Sequence, residues 1–305
     1  DILNANKTTG GKTAHRIFKV EAGKTLMLEN LTLKGGQNSG TFGGAINVTG
    51  SSTAELTDCT IEDCEAEHGG AIGCGKGTAV TLTNTTIQNC KAHTPVNNGT
   101  GGAIYAQGAT VNITNCTLTG NKAGYNGGGI YAKKITVTPS AVTISGCTIG
   151  GTTAADANKA SGTGAGNGGA IYADDGCMLT LKDSAALTGN TATGSGGGVY
   201  FNGTTLSMRG GARITPSSGS DTNQKGKNDV YLSDGTKITL HDTLTAAAPV
   251  ARITVADDKY LPATQVLDGS VVGAEYAKFI VTPKGNDVWG VTEQGKLALM
   301  ETGID

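Results

Sequence analysis

Aromatic residues, prolines, charges and long apolar runs are all scarce in this sequence. Of its 305 residues, 4% are aromatic, six are proline and 16% are charged. No apolar run reaches the roughly 18 residues of a membrane-spanning helix, so we predict no transmembrane segment. The formal net charge is −2, without the basic excess that marks nucleic-acid-binding domains. Nucleic acid is therefore not an expected partner.

Glycine, by contrast, is abundant. It accounts for 49 of the 305 residues, more than twice the roughly 7% of ordinary proteins. There is no Gly-X-Y period and little proline, which excludes collagen. The apolar fraction of 37% is too high, and the net charge too low, for a disordered chain. An ordered, glycine-rich, aromatic-poor sequence of this kind indicates repeats.

A motif of two glycines, a small residue and an aliphatic residue recurs along the chain. It occupies positions 43–46, 69–72, 101–104, 127–130, 168–171 and 196–199, with a degenerate copy at 228–230. Between copies lies a second block such as LTDCTI at 56–61, repeated at 82–87, 113–118 and 144–149. Apolar and polar residues alternate within each block, which predicts short strands and minimal helix. A repeating unit of roughly 26–32 residues that holds two or three short strands cannot close a core alone and must stack on its neighbours.

Stacking these units as rungs of a coil predicts columns of equivalent residues. One column stands at the break between two strands and consists of residue types that accept a left-handed backbone: Asn30, Asp58, Asn84, Asn115, Gly146 and Asp183. The next column is mostly small and predicted to point inward: Leu31, Cys59, Thr85, Cys116, Cys147 and Ser184. The longer insertions, at 91–100, 150–167 and 215–227, are predicted to be loops that emerge at one edge of the coil.

The cysteines follow the same columns. Cys59, Cys116 and Cys147 share one column, and Cys64 and Cys90 share another. No C-x-x-C pair occurs, so the spacing is not that of a zinc or redox site. Cys64 with Cys90, and Cys116 with Cys147, would lie on adjacent rungs within disulfide reach. The odd number of cysteines and their repetition in columns favour buried small fillers instead, and whether either pair is oxidised stays open.

Metal and cofactor sites receive little support. Glu65, Glu67 and His68 form an acidic cluster for which a divalent cation is a weak alternative to a solvated charged loop. The segment Gly11-Lys12-Thr13 imitates the end of a P-loop, but Asn6 stands where the first glycine is required. We therefore predict no cofactor and no metal.

Catalytic residues are equally sparse. Asp174 and Asp175 form an adjacent acid pair that offers a weak alternative for acid–base work in an enzyme acting on polysaccharides. Lys182 or Arg209 would have to supply the basic partner. The sequence therefore leans against an enzyme, without excluding a polysaccharide lyase or glycoside hydrolase.

Tyrosines form the most regular array of functional side chains. Five of the eight follow the aliphatic residue of successive glycine motifs: Tyr105, Tyr131, Tyr172, Tyr200 and Tyr231. If the aliphatic residues point inward, alternation turns the tyrosine rings outward, stacked along one face. An exposed row of tyrosines suits a sugar or a partner protein. The alternative is an aromatic ladder that only stabilises the coil.

The Gly-Gly-Ala-Ile motif, together with a block ending in Asn as at 118–121 and 187–190, resembles the repeats of the chlamydial polymorphic outer membrane proteins. It is similar also to glycine-rich surface β-helix proteins of spirochaetes and other anaerobes. The resemblance covers roughly residues 40–232. It implies a surface-exposed passenger used in adhesion or antigenic display.

Taken together, the repeats predict an all-β, right-handed parallel β-helix of about 7–9 rungs with a strand-rich C-terminal cap. Residues 1–232 would form the coil, including an N-terminal rung, and residues 233–305 the last rungs and the cap. Because the chain opens at Asp1 without a leader, we expect a mature or excised ectodomain, extracellular or on a bacterial outer membrane.

For function, the sequence favours a non-catalytic surface or secreted protein that binds a host protein, a glycan or another surface component. A polysaccharide lyase or glycoside hydrolase is the alternative from a different class. A structural spacer within a larger surface protein is the third hypothesis.

Overall fold

The computed structural model describes residues 1–5, 15–93, 98–162, 166–218 and 225–300. The P-loop-like segment Gly11-Lys12-Thr13 lies outside these residues, as do 94–97, 163–165 and 219–224 within the three longest predicted insertions. The described chain is almost entirely strand. Its helical elements are the 3₁₀ helices Asp257–Lys259 and Tyr276–Lys278 and the single-turn α-helix Val272–Glu275.

Four parallel sheets build the coil, and the chain passes through them in turn from sheet 1 to sheet 4 until the last rungs, which use sheets 1 and 2. Sheet 1 comprises ten strands: Phe18–Val20, Ile46–Val48, Ile72–Cys74, Ile104–Gln107, Ile130–Lys133, Ile171–Ala173, Val199–Phe201, Val230–Leu232, Ala251–Val255 and Phe279–Val281. Sheet 2 comprises nine: Thr25–Glu29, Thr53–Thr57, Ala79–Thr83, Thr110–Thr114, Ala141–Ser145, Met178–Lys182, Thr205–Gly210, Ile238–Leu244 and Leu267–Asp268.

The other two sheets are shorter. Sheet 3 comprises eight strands: Ile2–Asn4, Thr32–Lys34, Thr60–Glu62, Thr86–Gln88, Thr117–Thr119, Thr148–Gly150, Ala186–Thr188 and Arg213–Ile214. Sheet 4 comprises six: Gln37–Phe42, Glu65–His68, Lys91–Ala92, Lys122–Ala123, Lys159–Ala160 and Thr191–Ala192. An antiparallel hairpin, Trp289–Val291 with Leu297–Leu299, follows the last rung.

About nine coils stack in parallel register, so the predicted all-strand solenoid is confirmed. The aliphatic residues point inward and are fully buried, as at Leu33, Ile61, Ile87, Leu118 and Ile149. Burying each of these side chains contributes roughly 1.5–3 kcal/mol to folding. The repeat therefore places one aliphatic residue per rung into a continuous core.

The corner column has the predicted left-handed backbone. The φ angles are 55° at Asn30, 52° at Asp58, 48° at Asn84, 53° at Asn115 and 57° at Asp183, and Gly146 follows with 63°. Because only glycine and the short polar residues tolerate this conformation at low cost, the column explains why Asn and Asp recur there.

The prediction of an inward-pointing column after this corner is correct with one exception. Ser184 is exposed, and Ala185 is the buried residue that stands beside Cys147. The pairing of Thr148 with Ala186 shows that this rung carries one additional residue at the corner. Because side chains alternate along a strand, one extra residue shifts the inward position by one.

The predicted loop segments contain strands that the sequence did not reveal. Lys91–Ala92 and Lys159–Ala160 both belong to sheet 4, inside the segments predicted to be loops. Sheets 1 and 2 also continue past residue 232, so a boundary there stays a prediction. No helix among the described residues is long and apolar enough to cross a membrane.

A buried column of cysteine and asparagine closes the corner between sheets 3 and 4. Its members are Cys64, Cys90, Asn121, Asn158, Asn190 and Asn228. Asn158 Nδ2 donates to Leu118 O at 2.8 Å and to Asn190 Oδ1 at 3.0 Å, while its Oδ1 accepts from Asn121 Nδ2 at 2.9 Å. Each asparagine thus supplies partners for its neighbours inside the coil, where an unpaired polar group would be costly.

Candidate functional site: a tyrosine ladder on sheet 1

The five tyrosines predicted to share a column stack as one ladder on the outer side of sheet 1. The register pairs Tyr105 with Tyr131, Tyr131 with Tyr172, Tyr172 with Tyr200, and Tyr200 with Tyr231. Successive ring centroids are 5.5, 5.0, 4.8 and 4.9 Å apart, with interplanar angles of 2–14°. Offset stacking of this kind contributes about 0.5–1.5 kcal/mol per pair beyond burial.

The ladder differs from the expected exposed row of aromatic faces. Tyr105 and Tyr131 are only 5% and 9% exposed, and Tyr172, Tyr200 and Tyr231 are half-buried. Because each ring covers the face of the next, the ladder presents ring edges and hydroxyl groups to the outside. A ligand would therefore meet the edges of Tyr172, Tyr200 and Tyr231 rather than aromatic faces.

Phe42 and His68 extend the ladder at its N-terminal end. Their rings lie 5.3 and 4.9 Å from the Tyr105 ring. Both residues belong to sheet 4. Phe42 lies next to Gly73, the sheet 1 residue that is in register with Tyr105. Burial lowers the pKa of the His68 imidazole, and its Nδ1 lies 2.9 Å from Thr100 Oγ1. No pattern in the sequence indicated that this pair belongs to the ladder.

Asp174 stands beside the ladder hydroxyls. Tyr131 donates its hydroxyl to Asp174 Oδ2 at 3.4 Å. Burial raises the pKa of Tyr105 to about 12, and the negative charge of Asp174 adds to the shift. The same two causes, in the same order, raise the pKa values of Tyr131, Tyr172 and Tyr200. The tyrosines are therefore neutral hydroxyl groups, able to donate and to accept hydrogen bonds.

A second outward column lies two residues beyond the tyrosines. It carries one polar group per rung: Gln107, Lys133, Asp174, Asn202 and Ser233. Gln107 pairs with Lys133 in register, and the Ser233 hydroxyl donates to Asn202 Oδ1 at 2.6 Å. The two columns together are called the tyrosine strip below. The polar column was missed because its residue types vary, although its spacing from each tyrosine is constant.

The weak catalytic alternative is not assembled as the sequence suggested. Asp175 forms an ion pair with Lys134, and its backbone N–H donates to Asp174 Oδ1 at 2.9 Å. Lys182 instead lies 3.7 Å from Asp183, and the charge of Arg209 also acts on Asp183. Neither proposed basic partner therefore accompanies Asp174 and Asp175.

The metal alternative is not assembled either. Glu67 lies 3.9 Å from His68 Nε2, and His68 turns its ring toward the ladder. Within the described ranges, no group of three or more His, Cys, Asp or Glu residues is arranged to hold a metal ion.

All seven cysteines are buried and carry free thiols. Those that follow a corner donate weakly to a carbonyl two residues earlier, as Cys116 Sγ does to Thr114 O at 3.2 Å and Cys147 Sγ to Ser145 O at 3.2 Å. Burial raises the pKa of Cys74 to about 12. The interpretation of the cysteines as small buried fillers fits this arrangement.

The comparisons with known proteins agree with the fold. A family model described as a right handed beta helix region matches residues 5–149, just under half of the chain. The chain is a right-handed parallel β-helix. Its coil continues well beyond the matched residues, through the strand Phe279–Val281. No curated protein and no solved structure matches the sequence, so the resemblance to chlamydial polymorphic outer membrane proteins stays a prediction.

Proposed function

We propose that this β-helix is a non-catalytic surface or secreted protein that binds a linear glycan along the tyrosine strip. The observation that carries the proposal is the coincidence of two periodic columns on one face. Every rung from Tyr105 to Tyr231 carries a phenol hydroxyl and, two residues on, an amide, ammonium, carboxylate or hydroxyl group, and the tyrosines are partly exposed from Tyr172 to Tyr231. Rungs repeat at about 4.8 Å, so donors and acceptors recur along the coil axis.

A glycan matches this arrangement better than an apolar ligand does. Sugar hydroxyls donate and accept hydrogen bonds, as the neutral tyrosine hydroxyls do. The ring edges beside them provide apolar contact. A polymer lying along the axis would repeat its contacts from rung to rung and gain affinity from several weak sites at once. We propose that the protein lies outside the cell because its repeats resemble those of surface β-helix proteins.

The test is a glycan array probed with the wild type and with a double variant, Tyr172→Phe with Tyr200→Phe. Phenylalanine preserves the stacking and removes the hydroxyls. We expect at least about a tenfold loss of affinity for the bound glycan, equivalent to one or two hydrogen bonds. The control is Tyr276→Phe, because Tyr276 begins the 3₁₀ helix Tyr276–Lys278 and stands outside the ladder. Unchanged binding by the double variant, or no glycan bound by the wild type, contradicts the proposal.

The same glycan tests the enzymatic alternative. Incubation with the wild type should produce neither new reducing ends nor unsaturated sugars. Cleavage that disappears in Asp174→Asn would show an enzyme and overturn the non-catalytic assignment.

A further inference from the structure

The corner between sheets 1 and 2 changes length along the coil. It is short in most rungs, as at 108–109, 174–177 and 202–204, and it occupies 233–237 in the rung of Tyr231. In the next rung it lengthens to 256–266 and includes the 3₁₀ helix Asp257–Lys259. The long connection leaves a cavity of about 320 Å³ against the preceding corner, within the size range of small-molecule sites. We call this cavity the terminal groove.

The terminal groove has an apolar floor and a polar rim. Leu232 and Val255 are buried beneath it, and Leu261 at its edge is 53% exposed. The rim carries Asp234 and Lys259, which form an ion pair at 2.8 Å. This pair joins the two corners that enclose the groove.

The hydroxyl and amide groups of the rim are held by the backbone. Thr236 Oγ1 donates to Ser233 O at 2.8 Å, and Thr264 Oγ1 donates to Lys259 O at 2.7 Å. Gln265 Nε2 donates to Leu267 O and Gln294 O, each at 2.6 Å. With their protons committed, the oxygens of these side chains are oriented as acceptors. The rim is therefore preorganised, which lowers the entropy cost of binding.

We propose that the terminal groove binds one neutral pyranose residue of a glycan. A carboxylate only accepts hydrogen bonds and an ammonium only donates them, so the Asp234–Lys259 pair complements two adjacent sugar hydroxyls. The apolar face of the sugar ring would lie against Leu261 and Ala263. An acidic sugar is less suitable because both lysines that line the groove are already paired with a carboxylate, Lys237 with Asp268 at 2.7 Å and Lys259 with Asp234 at 2.8 Å.

The terminal groove continues the tyrosine strip. Ser233 lines the groove and also ends the polar column, where its hydroxyl donates to Asn202 at 2.6 Å. A glycan on the strip would reach the groove with its terminal residue. The choice of a sugar as ligand thus rests on the proposed function, whereas among the residues that line the groove Ser233 alone belongs to the strip.

The experiment titrates the isotope-labelled protein with glucose, galactose, mannose and glucuronate, each as the free monosaccharide, and follows backbone amide resonances by NMR. We expect one neutral hexose to shift residues 233–237 and 259–265 in a saturable way. Asp234→Asn removes the ion pair and keeps the shape of the side chain. It should weaken binding about tenfold, since a charge-assisted hydrogen bond is lost. Leu299→Ala, at an exposed apolar residue of the hairpin, should leave binding unchanged.

The proposal is overturned if no neutral hexose shifts these amides, if Asp234→Asn binds as well as the wild type, or if glucuronate binds more tightly than glucose. The Tyr172→Phe, Tyr200→Phe double variant separates the two proposals. It should retain hexose binding in the groove while losing affinity for the long glycan. If the double variant keeps its affinity for the long glycan and the groove still binds the hexose, the proposal for the tyrosine strip is contradicted and the proposal for the groove is kept.

Discussion

Gly73 and Phe42 together fill one place in the tyrosine ladder. Gly73 stands in register with Tyr105, and a Cβ at Gly73 would lie 2.7 Å from Phe42 Cβ. Phe42 enters from sheet 4 and stacks on Tyr105 with ring centroids 5.3 Å apart. The missing side chain on one sheet thus admits an aromatic ring from another.

This packing predicts that Gly73→Ala is destabilising. The new methyl group would meet Phe42 Cβ at 2.7 Å and Gly43 N at 2.9 Å, and overpacking of this kind costs about 1–3 kcal/mol. Urea unfolding measures the change in the free energy of unfolding. Gly75→Ala is the matched control because its nearest neighbour, Val48 O, would lie at 3.6 Å. Equal stability of the two variants would show that Phe42 does not depend on the glycine.

The asparagine column predicts a second stability effect. Asn158→Ala removes the hydrogen bonds to Asn121, Leu118 and Asn190 in a fully buried site. We expect a loss of at least about 2 kcal/mol, since each buried group left without a partner costs about 1–3 kcal/mol. Asn112→Ala, on the exposed side of sheet 2, should change the free energy of unfolding by less than about 0.5 kcal/mol. Similar losses at both positions would argue against the column as a source of stability.

The ladder predicts a loss of stability at alkaline pH. Burial, with a contribution from Asp174, raises the pKa of Tyr105 to about 12, above the ordinary value of about 10. Because the folded-state pKa is raised, the stabilisation is complete below pH of about 10 and is lost as pH rises toward 12. The measurement is the free energy of unfolding across this range, together with phenolate absorbance of the folded protein.

Asp174→Asn refines this test. Removing the negative charge should lower the pKa values of the ladder tyrosines, so phenolate absorbance should appear at lower pH than in the wild type. Tyr276→Phe again serves as a control for a tyrosine outside the ladder. A titration curve unaffected by Asp174→Asn would show that the carboxylate does not act on the ladder.

The buried carboxyl of Asp229 should give the stability of the protein a pH dependence opposite to that of an ion-paired surface carboxylate. It occupies the small-residue position of the repeat, is fully buried, and its Oδ1 accepts from Gly197 N at 2.7 Å and Gly226 N at 2.9 Å. Burial raises the pKa of this carboxyl above its ordinary value, although its hydrogen bonds act in the other direction. Its contribution is therefore present at low pH and is lost as pH rises through the folded-state pKa.

The free energy of unfolding of the Asp229→Asn variant should accordingly increase relative to that of the wild type as pH rises. Urea unfolding at pH of about 4 and about 7 measures the difference between the two proteins at each pH. Asp58→Asn, at an exposed corner where other rungs carry Asn, is the control. A difference at Asp229 that is independent of pH would mean that the carboxyl has the same pKa in the folded and unfolded states.

Much of the coil was predictable because each column repeats one local requirement. The left-handed φ of Asn84 follows from a corner that every rung must turn, and the burial of Ile87 follows from alternation beyond it. The register of the tyrosines was predictable for the same reason. Ser184 was placed wrongly since one inserted residue changes the side of the next position, and a single sequence does not show where the insertion is absorbed.

The candidate site depended on contacts between distant residues. Sheet 4 strands such as Lys122–Ala123 have two residues, too few for a pattern of alternation to be recognised. Phe42 and His68 join the ladder only because sheet 4 passes beside Gly73. The terminal groove likewise arises where the long connection at 256–266 lies against the preceding corner.

The sequence by itself determined that the chain stacks short strands into a coil, since glycine pairs, corner asparagines and inward aliphatic residues recur with the rungs. It also determined that five tyrosines share a column. Only the tertiary structure decided that these rings cover one another and present hydroxyl edges. Ring exposure depends on the spacing between rungs and on side chains from another sheet, which no local pattern encodes.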